Sequence, residues 1–337
     1  MKNLFIFISS IFLCMVFIPI IAIAASSFSN VDYKVADNTS ECTDSAEDKK
    51  PRPKEDTNNA KPSVSTFKIM DNANSSVFTI PENEFICLSV ATEMPPSFSD
   101  EAIKAQAVAS YTYFTHLKET SNDDYDFSVD SSSANLYTTK EQLKEKWGSN
   151  FDTYYSKFSS NVDSVFGQKI KSGDETIVAT YHAISAGNTE ASVDVFGGEK
   201  SYLVPVPSPG DLFAPNYQTS CEFSADELKE HLTSQWPEID LDPDPAQWIS
   251  EIQRTSSGMV KSVKIGSIYT DGSKIRTMLS LRSPNFDVTY SDNKFIFKVR
   301  GYGHGVGMSQ YGAEYMARQG STYIEILNWY YPGTTVC

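Results

Sequence analysis

From Gly301 to Gly307 a glycine occupies every second position, in the run Gly301-Tyr302-Gly303-His304-Gly305-Val306-Gly307-Met308-Ser309-Gln310-Tyr311-Gly312-Ala313. Glycine loses more conformational freedom on folding than any other residue, so such a run is too costly to be filler. It demands a backbone that turns sharply or lies directly against something flat, and it predicts a side-chain-poor surface leading into a helix. His304 stands in its middle. Spacing excludes two known glycine loops. A P-loop needs Gly-Lys-Ser/Thr, which is absent, and in a G-x-G-x-x-G counted from Gly301 or Gly303 the third glycine falls on Val306 or Met308. Two roles stay open: a turn that seats the following helix, or a cleft wall that also positions His304, Ser309 or Gln310.

A chain of 337 residues can bury a large core in one or two domains. Its formal charge of −15 leaves no Lys/Arg stripe to neutralise phosphates, which argues against a nucleic-acid binder and against a protein held by anionic lipid. Leu4 to Ala25 are apolar apart from Ser9 and Ser10. As a helix this run reaches about 33 Å, enough to cross roughly 30 Å of hydrocarbon. Ala22-Ile23-Ala24 fits a signal-peptidase site, but the run is longer than a cleaved signal needs, which favours a retained anchor. Residues 26–62 contain almost nothing to bury, and Lys49-Lys50-Pro51-Arg52-Pro53-Lys54-Glu55-Asp56 reads as a disordered tether. The expected organisation is an anchor or signal at 1–25, a linker at 26–62 and an exported folded domain at 63–337.

The first regular element is expected near Val77. Pro81 suits a helix start, and Phe85, Ile86, Leu88, Val90 and Ala91 predict a short apolar helix that stops before Pro95-Pro96. A second helix is expected from Ser97 or Ser99 to about Lys118, capped by Ser97 with Asp100, its Ala102, Ala105, Ala107 and Ala109 allowing close packing. Residues 138–160 read as helical, and Lys169–Ala183 as a strand pair around Ser172-Gly173-Asp174. A loop-rich stretch follows to Pro215, then a short helix over 224–233. Met259–Val299 carries strands parted by turns at Asp271-Gly272 and Asp292-Asn293. Helices over Met308–Arg318 and Thr322–Tyr331 close the chain, Thr322 with Glu325 forming a capping box. The fold class is α+β, with helices and antiparallel strands around a cleft, preceded by a transmembrane helix and a tether.

Candidate chemistry is sparse. The four histidines, His116, His182, His231 and His304, show no HExxH-type spacing, and a catalytic zinc needs three protein ligands; neither a metal nor a cofactor is expected. No G-x-S-x-G marks a serine hydrolase. Cys14 lies in the apolar span, and Cys42, Cys87, Cys221 and Cys337 are scattered without CxxC, as buried or idle thiols would be; one bridge is conceivable. Glu93 sits in the joint between two helices, after an apolar run and before Met94-Pro95-Pro96. Partial burial there raises a carboxyl's pKa and suits it to act as a general acid. Equally, it can serve as a helix-end carboxylate bonding backbone N–H groups.

Three ordered blocks carry a resemblance: Ala91-Thr92-Glu93-Met94-Pro95 with Glu101-Ala102-Ile103-Lys104-Ala105-Gln106-Ala107-Val108-Ala109, then Tyr181-His182-Ala183-Ile184-Ser185-Ala186-Gly187-Asn188-Thr189-Glu190, and the glycine run itself. Together, over about 77–337, they resemble the stage II sporulation protein D family, to which amidase enhancer proteins are related. The resemblance implies a lytic transglycosylase of forespore engulfment, cleaving MurNAc–GlcNAc bonds of peptide-stripped peptidoglycan strands to 1,6-anhydro-MurNAc ends. It implies a single-pass membrane protein with its C-terminal domain outside the cytoplasm, working with the stage II sporulation proteins P, an amidase/endopeptidase, and M, a membrane protein. The family's catalytic acid lands on Glu93. Tyr181, His304 and Gln310 are expected as supporting groups, and Arg276, Arg282 and Arg300 as contacts for the strand's lactyl carboxylates. Some members bind zinc through cysteines beside the block matched by His182–Glu190; Gly187–Gly198 has none, so no metal is expected. The competing expectations are a non-catalytic, peptidoglycan-binding activator of an amidase, and a structural component of the engulfment complex.

Overall fold

The computed structural model describes residues 65–133 and 136–337. Its first element, the strand Thr66–Asp71, alternates buried Phe67 and Ile69 with exposed Lys68. It pairs antiparallel with Ser76–Pro81 and parallel with Phe127–Val129. The expected start near Val77 misses this strand, whose apolar–polar alternation is broken where Met70 follows Ile69. Pro81 ends the hairpin and leads straight into the helix Glu82–Glu93. Rings of Phe67, Phe85, Phe114 and Phe127, with paired centroids from 4.8 to 6.5 Å apart, fasten the sheet to that helix and to the long helix Asp100–Thr120.

The 100–120 helix is the axis of this half. Ala102, Ala105, Ala107 and Ala109 are all buried, and their small side chains admit the helices Glu82–Glu93, Phe151–Val165, Gln310–Arg318 and Tyr323–Tyr330. The cap expected from Ser97 and Asp100 does not form. Ser99 is the capping residue and makes no side-chain bond; instead the Glu314 carboxylate accepts the Ser99 N–H at 2.6 Å. A carboxylate at a helix N-terminus also meets the positive end of the helix dipole. The stretch expected to be helical over 138–160 is two helices, Lys140–Trp147 and Phe151–Val165, parted by a turn at Gly148–Asn150.

Residues 218–300 build a second layer. Strands Gln218–Ser224, Lys294–Arg300 and Phe286–Ser291 form one antiparallel sheet, and Ile249–Arg254, Val260–Ile265 and Ile268–Thr270 another. Leu228 and Leu232 of the helix Ala225–Gln235 share a core with Val260, Val263, Phe286, Phe295 and Phe297. The hairpin turn at Asp292-Asn293 is formed, both residues having positive φ. Asp271-Gly272 is not a hairpin turn. Asp271 caps the helix Gly272–Met278, its carboxylate accepting the Lys274 N–H at 2.8 Å.

Only Ile170–Ser172 and Glu175–Thr176 of the expected 169–183 strand pair actually pair with each other. Tyr181–His182 instead runs parallel to Met308–Ser309, the strand that follows the glycine run. This short junction joins the middle of the chain to its end.

The expectation of mixed helices and strands therefore stands, but its membrane-spanning part is corrected. Among the described residues no helix is long and apolar enough to cross a membrane. The longest of them, Asp100–Thr120, carries Asp100, Glu101, Lys104, Lys118 and Glu119, which hydrocarbon would reject. The single-pass membrane localisation expected with that span is withdrawn with it. Residues 1–25 and 26–62, on which the anchor and the tether were read, lie outside the described residues.

Candidate active site

Glu93 is the last residue of its helix. Met94 closes the helix by donating its N–H to Val90, and Pro95-Pro96 cannot continue it. The half-buried carboxylate accepts a hydrogen bond from the Gln310 amide at 3.3 Å, and another from the backbone N–H of Leu136. The same Gln310 nitrogen reaches Gln106 Oε1 at 3.4 Å, and the Gln106 amide donates to Ser110 at 3.0 Å. A chain of amides thus ties Glu93 to the central helix. Burial pushes the Glu93 carboxyl above its ordinary 4.5, while the bonds from Gln310 and Leu136 hold it back. Among the described residues no neighbouring carboxylate contributes to the shift.

Gln310→Leu is expected to raise the Glu93 pKa further, since it removes a donor that favours the charged form. Titration of a carbon-13-labelled Glu93 carboxyl checks this; an unmoved or lowered midpoint would show that the Gln310 bond has no hold on Glu93.

Strand geometry sends neighbouring side chains to opposite faces. Tyr181 faces Glu93, and His182 faces the glycine run. Burial first, then the Glu93 charge, push the Tyr181 hydroxyl far up, so it remains a protonated donor. It lies near the Ser89 and Ser110 hydroxyls. Yet Tyr181 Oη and Ser89 Oγ are buried with no well-formed hydrogen bond among the described residues. Buried hydroxyls rarely go unpartnered, which sets these two apart from the other hydroxyls around Glu93. The Tyr113 ring stands edge-on to Tyr181 at 6.4 Å. The structure therefore brings Glu93, Tyr181 and Gln310 together. Ser89, Gln106, Ser110 and Tyr113 were missed. For two of them a signal was present: polar Gln106 and Ser110 stand four residues apart on an otherwise alanine-rich, buried helix face.

His304 belongs to a different cluster. Its Nδ1 accepts the Val306 N–H at 3.1 Å, and its ring lies 5.8 Å from His182 and 5.3 Å from Phe196. Burial, then the Arg276 charge, depress it to about 4, so it is neutral at pH 7. Arg282 stacks its guanidinium over Tyr302 at 4.0 Å, and Arg276 is coupled to that same tyrosine. Arg300 is committed to Asp287, and to Asn285 at 3.2 Å. These groups sit beside the glycine run rather than against Glu93. Only the end of the run, through Gln310, reaches the carboxylate.

Two buried acids brace that arrangement. Asp211, fully buried, accepts the Ser185 N–H at 2.9 Å and the Ser309 hydroxyl at 2.6 Å. Ser309 in turn caps the 310–318 helix by accepting the Gly312 N–H, which fixes where Gln310 starts. Glu190 accepts the Thr255 hydroxyl at 3.1 Å and the Met259 N–H at 3.3 Å through one oxygen. Its other oxygen is buried without a partner among the described residues. Burial raises Asp211 to about 6 and Glu190 to about 7.

A carboxyl raised by folding favours the native state below its unfolded pKa and loses that contribution as pH rises through the folded one. For Glu190 the window runs from its ordinary 4.5 to about 7. Glu190→Gln is therefore expected to flatten the stability–pH curve, removing on the order of 3 kcal/mol of the loss between about pH 5 and about pH 8. Denaturant unfolding at the two pH values checks it, Asp211 being common to both proteins. Parallel curves would exclude a buried, titrating Glu190.

Among the described residues no group of three or more His, Cys, Asp or Glu side chains is placed to hold a metal ion. Cys87 and Cys221 are free thiols, and burial pushes Cys87 up to about 12, which makes it a poor nucleophile.

A family model described as stage II sporulation protein matches residues 71–171, the part that holds Glu93, Gln106 and Ser110. Stage II sporulation protein D of Bacillus subtilis (strain 168) is 33% identical over 282 residues, covering 82% of this chain and 80% of that protein. Its counterpart from Bacillus amyloliquefaciens is 32% identical over 269 residues, covering 78% and 76%. The amidase enhancer of Bacillus subtilis (strain 168) is 28% identical over 295 residues, covering 73% of this chain but 39% of that protein. With two such relatives aligned over most of both lengths, the chain belongs to the stage II sporulation protein D family.

Proposed function

We propose that this protein is a lytic transglycosylase of sporulation, cleaving peptide-stripped peptidoglycan strands with Glu93 as its acid and base. One observation carries the reading: Glu93 is raised by burial, held by Gln310, and has no second carboxylate acting on it among the described residues. A hydrolysing glycosidase ordinarily needs two carboxylates, one for the leaving oxygen and one for water or covalent attack. A lytic transglycosylase needs only one. The protonated Glu93 gives its proton to the leaving N-acetylglucosamine oxygen as the bond to the muramic acid C1 breaks. The C6 hydroxyl of that muramic acid then bonds to C1 and gives its proton to the Glu93 carboxylate. The product is a 1,6-anhydro ring, no water enters, and the acid is restored. The neutral hydroxyl of Tyr181 and the Gln310 amide are the dipoles that steady the charge developing in between.

A second reading is favoured by the names of the relatives, which describe sporulation proteins and an amidase enhancer and print no cleavage reaction. On that reading the chain binds glycan and activates a cell-wall amidase without cutting. Either way its partners are the glycan and, by resemblance, the amidase/endopeptidase P and the protein M of the same stage. Mass spectrometry of peptide-stripped strands after digestion separates the two. New 1,6-anhydro ends support cleavage, unchanged strands support the activator, and reducing ends formed with uptake of water would overturn the one-carboxylate mechanism.

A further inference from the structure

An open groove of about 340 Å3 runs along the helix Gln310–Arg318, lined by Pro95, Phe98, Phe213, Tyr311, Tyr315 and Arg318. Its volume lies within the range of small-molecule sites. Neither Glu93 nor Gln310 lines it, but two of its residues adjoin theirs in the chain: Pro95 follows Glu93 by two residues, and Tyr311 follows Gln310, whose amide binds Glu93. Tyr311, Tyr315 and Arg318 recur at helical spacing on one face, so the groove follows about 10 Å of helix.

Its chemistry is unusual for a surface. Phe213 is 64% exposed, yet its ring is stacked on Tyr315, the centroids 5.8 Å apart and the planes only 10° from parallel. The backbone holds this pair. A Cβ at Gly210 would stand 2.3 Å from the Tyr315 Cβ, so only glycine lets the Pro209–Phe213 turn lie flat on Tyr315 and bring Phe213 over it. Tyr311 meets Phe98 edge-on at 5.0 Å and forms the floor. Arg318 uses its Nε on buried Glu314 while its side chain stays 63% exposed. Exposed, oriented aromatic faces attract the C–H faces of pyranose rings, and an anchored guanidinium suits a sugar-borne carboxylate. A purely apolar partner would leave the Glu314–Arg318 pair desolvated to no benefit.

We infer that this groove is a saccharide subsite, in which Phe213 and Tyr315 stack a pyranose ring of the strand entering the Glu93 site while Arg318 binds its carboxylate. The inference rests on the glycan-binding part of the reading above and adds the residues that hold the strand. The test uses the full chain carrying Glu93→Gln, so that binding is measured without turnover, and peptide-stripped glycan strands of defined length. Adding Phe213→Ala or Arg318→Ala is expected to weaken binding about tenfold, and Phe213→Trp to restore it. In the cleaving chain Phe213→Ala is expected to raise KM with kcat kept. Undiminished affinity in both alanine variants, with native melting curves, would overturn the subsite, as would weakening that Phe213→Trp fails to repair. The two readings fail separately. Cleavage at an unchanged KM in Phe213→Ala removes the subsite and leaves the transglycosylase; Phe213-dependent binding without any anhydro product does the reverse.

Discussion

Glu93→Gln is expected to lower the rate at which 1,6-anhydro ends form by roughly a thousandfold, with fold and glycan affinity unchanged. The amide is nearly isosteric. Turned so that its oxygen meets the Gln310 amide, it keeps that contact at 3.3 Å and leaves the chain of amides through Gln106 intact. What it lacks is a transferable proton at the leaving oxygen and a base for the C6 hydroxyl, and one carboxyl supplies both in the proposed cycle. Glu93→Asp, one methylene shorter, draws the acid back from Gln310 and is expected to fall between the two. The pH dependence carries the same signature. Glu93 works in its protonated form, and burial raises its pKa, so the rate should decline as pH rises through that value. In Glu93→Gln the remaining rate should lose this limb. Anhydro ends produced by Glu93→Gln at the parental rate would remove Glu93 from the chemistry and leave the activator reading standing.

The helical half was largely legible in the sequence. Apolar spacing and Pro95-Pro96 marked the end of the first helix, and Thr322 with Glu325 forms the capping box their spacing announces. Local signals of this kind need no partner. The failures at Ser97 and at Asp271-Gly272 share one cause: their determinants lie elsewhere in the chain. The Ser99 N–H is satisfied by Glu314, 215 residues away, and nothing near Ser97 can reveal that. Asp271-Gly272 has the composition of a hairpin turn, but Val260 packs on Gly272 so closely that a Cβ there would stand 2.5 Å from the Val260 carbonyl, and the pair starts a helix instead. The site divides in the same way. Glu93 stands out because a carboxyl between an apolar helix and two prolines invites explanation. Ser89 and Tyr113 do not, since their role exists only once Gln310 and Tyr181 arrive from distant parts of the chain. His304, central in its run, is drawn by that same folding to His182 and Phe196.

The glycine run itself supplies the largest effect expected on stability. Gly307 has φ of +74°, and a Cβ there would lie 1.9 Å from the Thr180 carbonyl oxygen. That oxygen cannot step aside cheaply, because it accepts the Met308 N–H at 3.1 Å and the Tyr331 hydroxyl at 2.8 Å. Gly307→Ala must therefore adopt a strained backbone, push apart the strands 181–182 and 308–309, and strip the part-buried Thr180 carbonyl of its donors. These costs add to about 3–6 kcal/mol, a fall in melting temperature of about 10 °C or more. Gly320→Ala isolates the conformational share: its φ is +97°, but nothing lies within 4 Å of the added Cβ. It should cost only about 1 kcal/mol. Similar losses in the two variants would mean that backbone conformation alone demands these glycines. A much larger loss at Gly307 assigns the demand to contact with Thr180, and predicts a second consequence. Separating those strands withdraws Tyr181 and Gln310 from Glu93, so whatever Gly307→Ala protein remains folded should titrate Glu93 at a different pH from the parent.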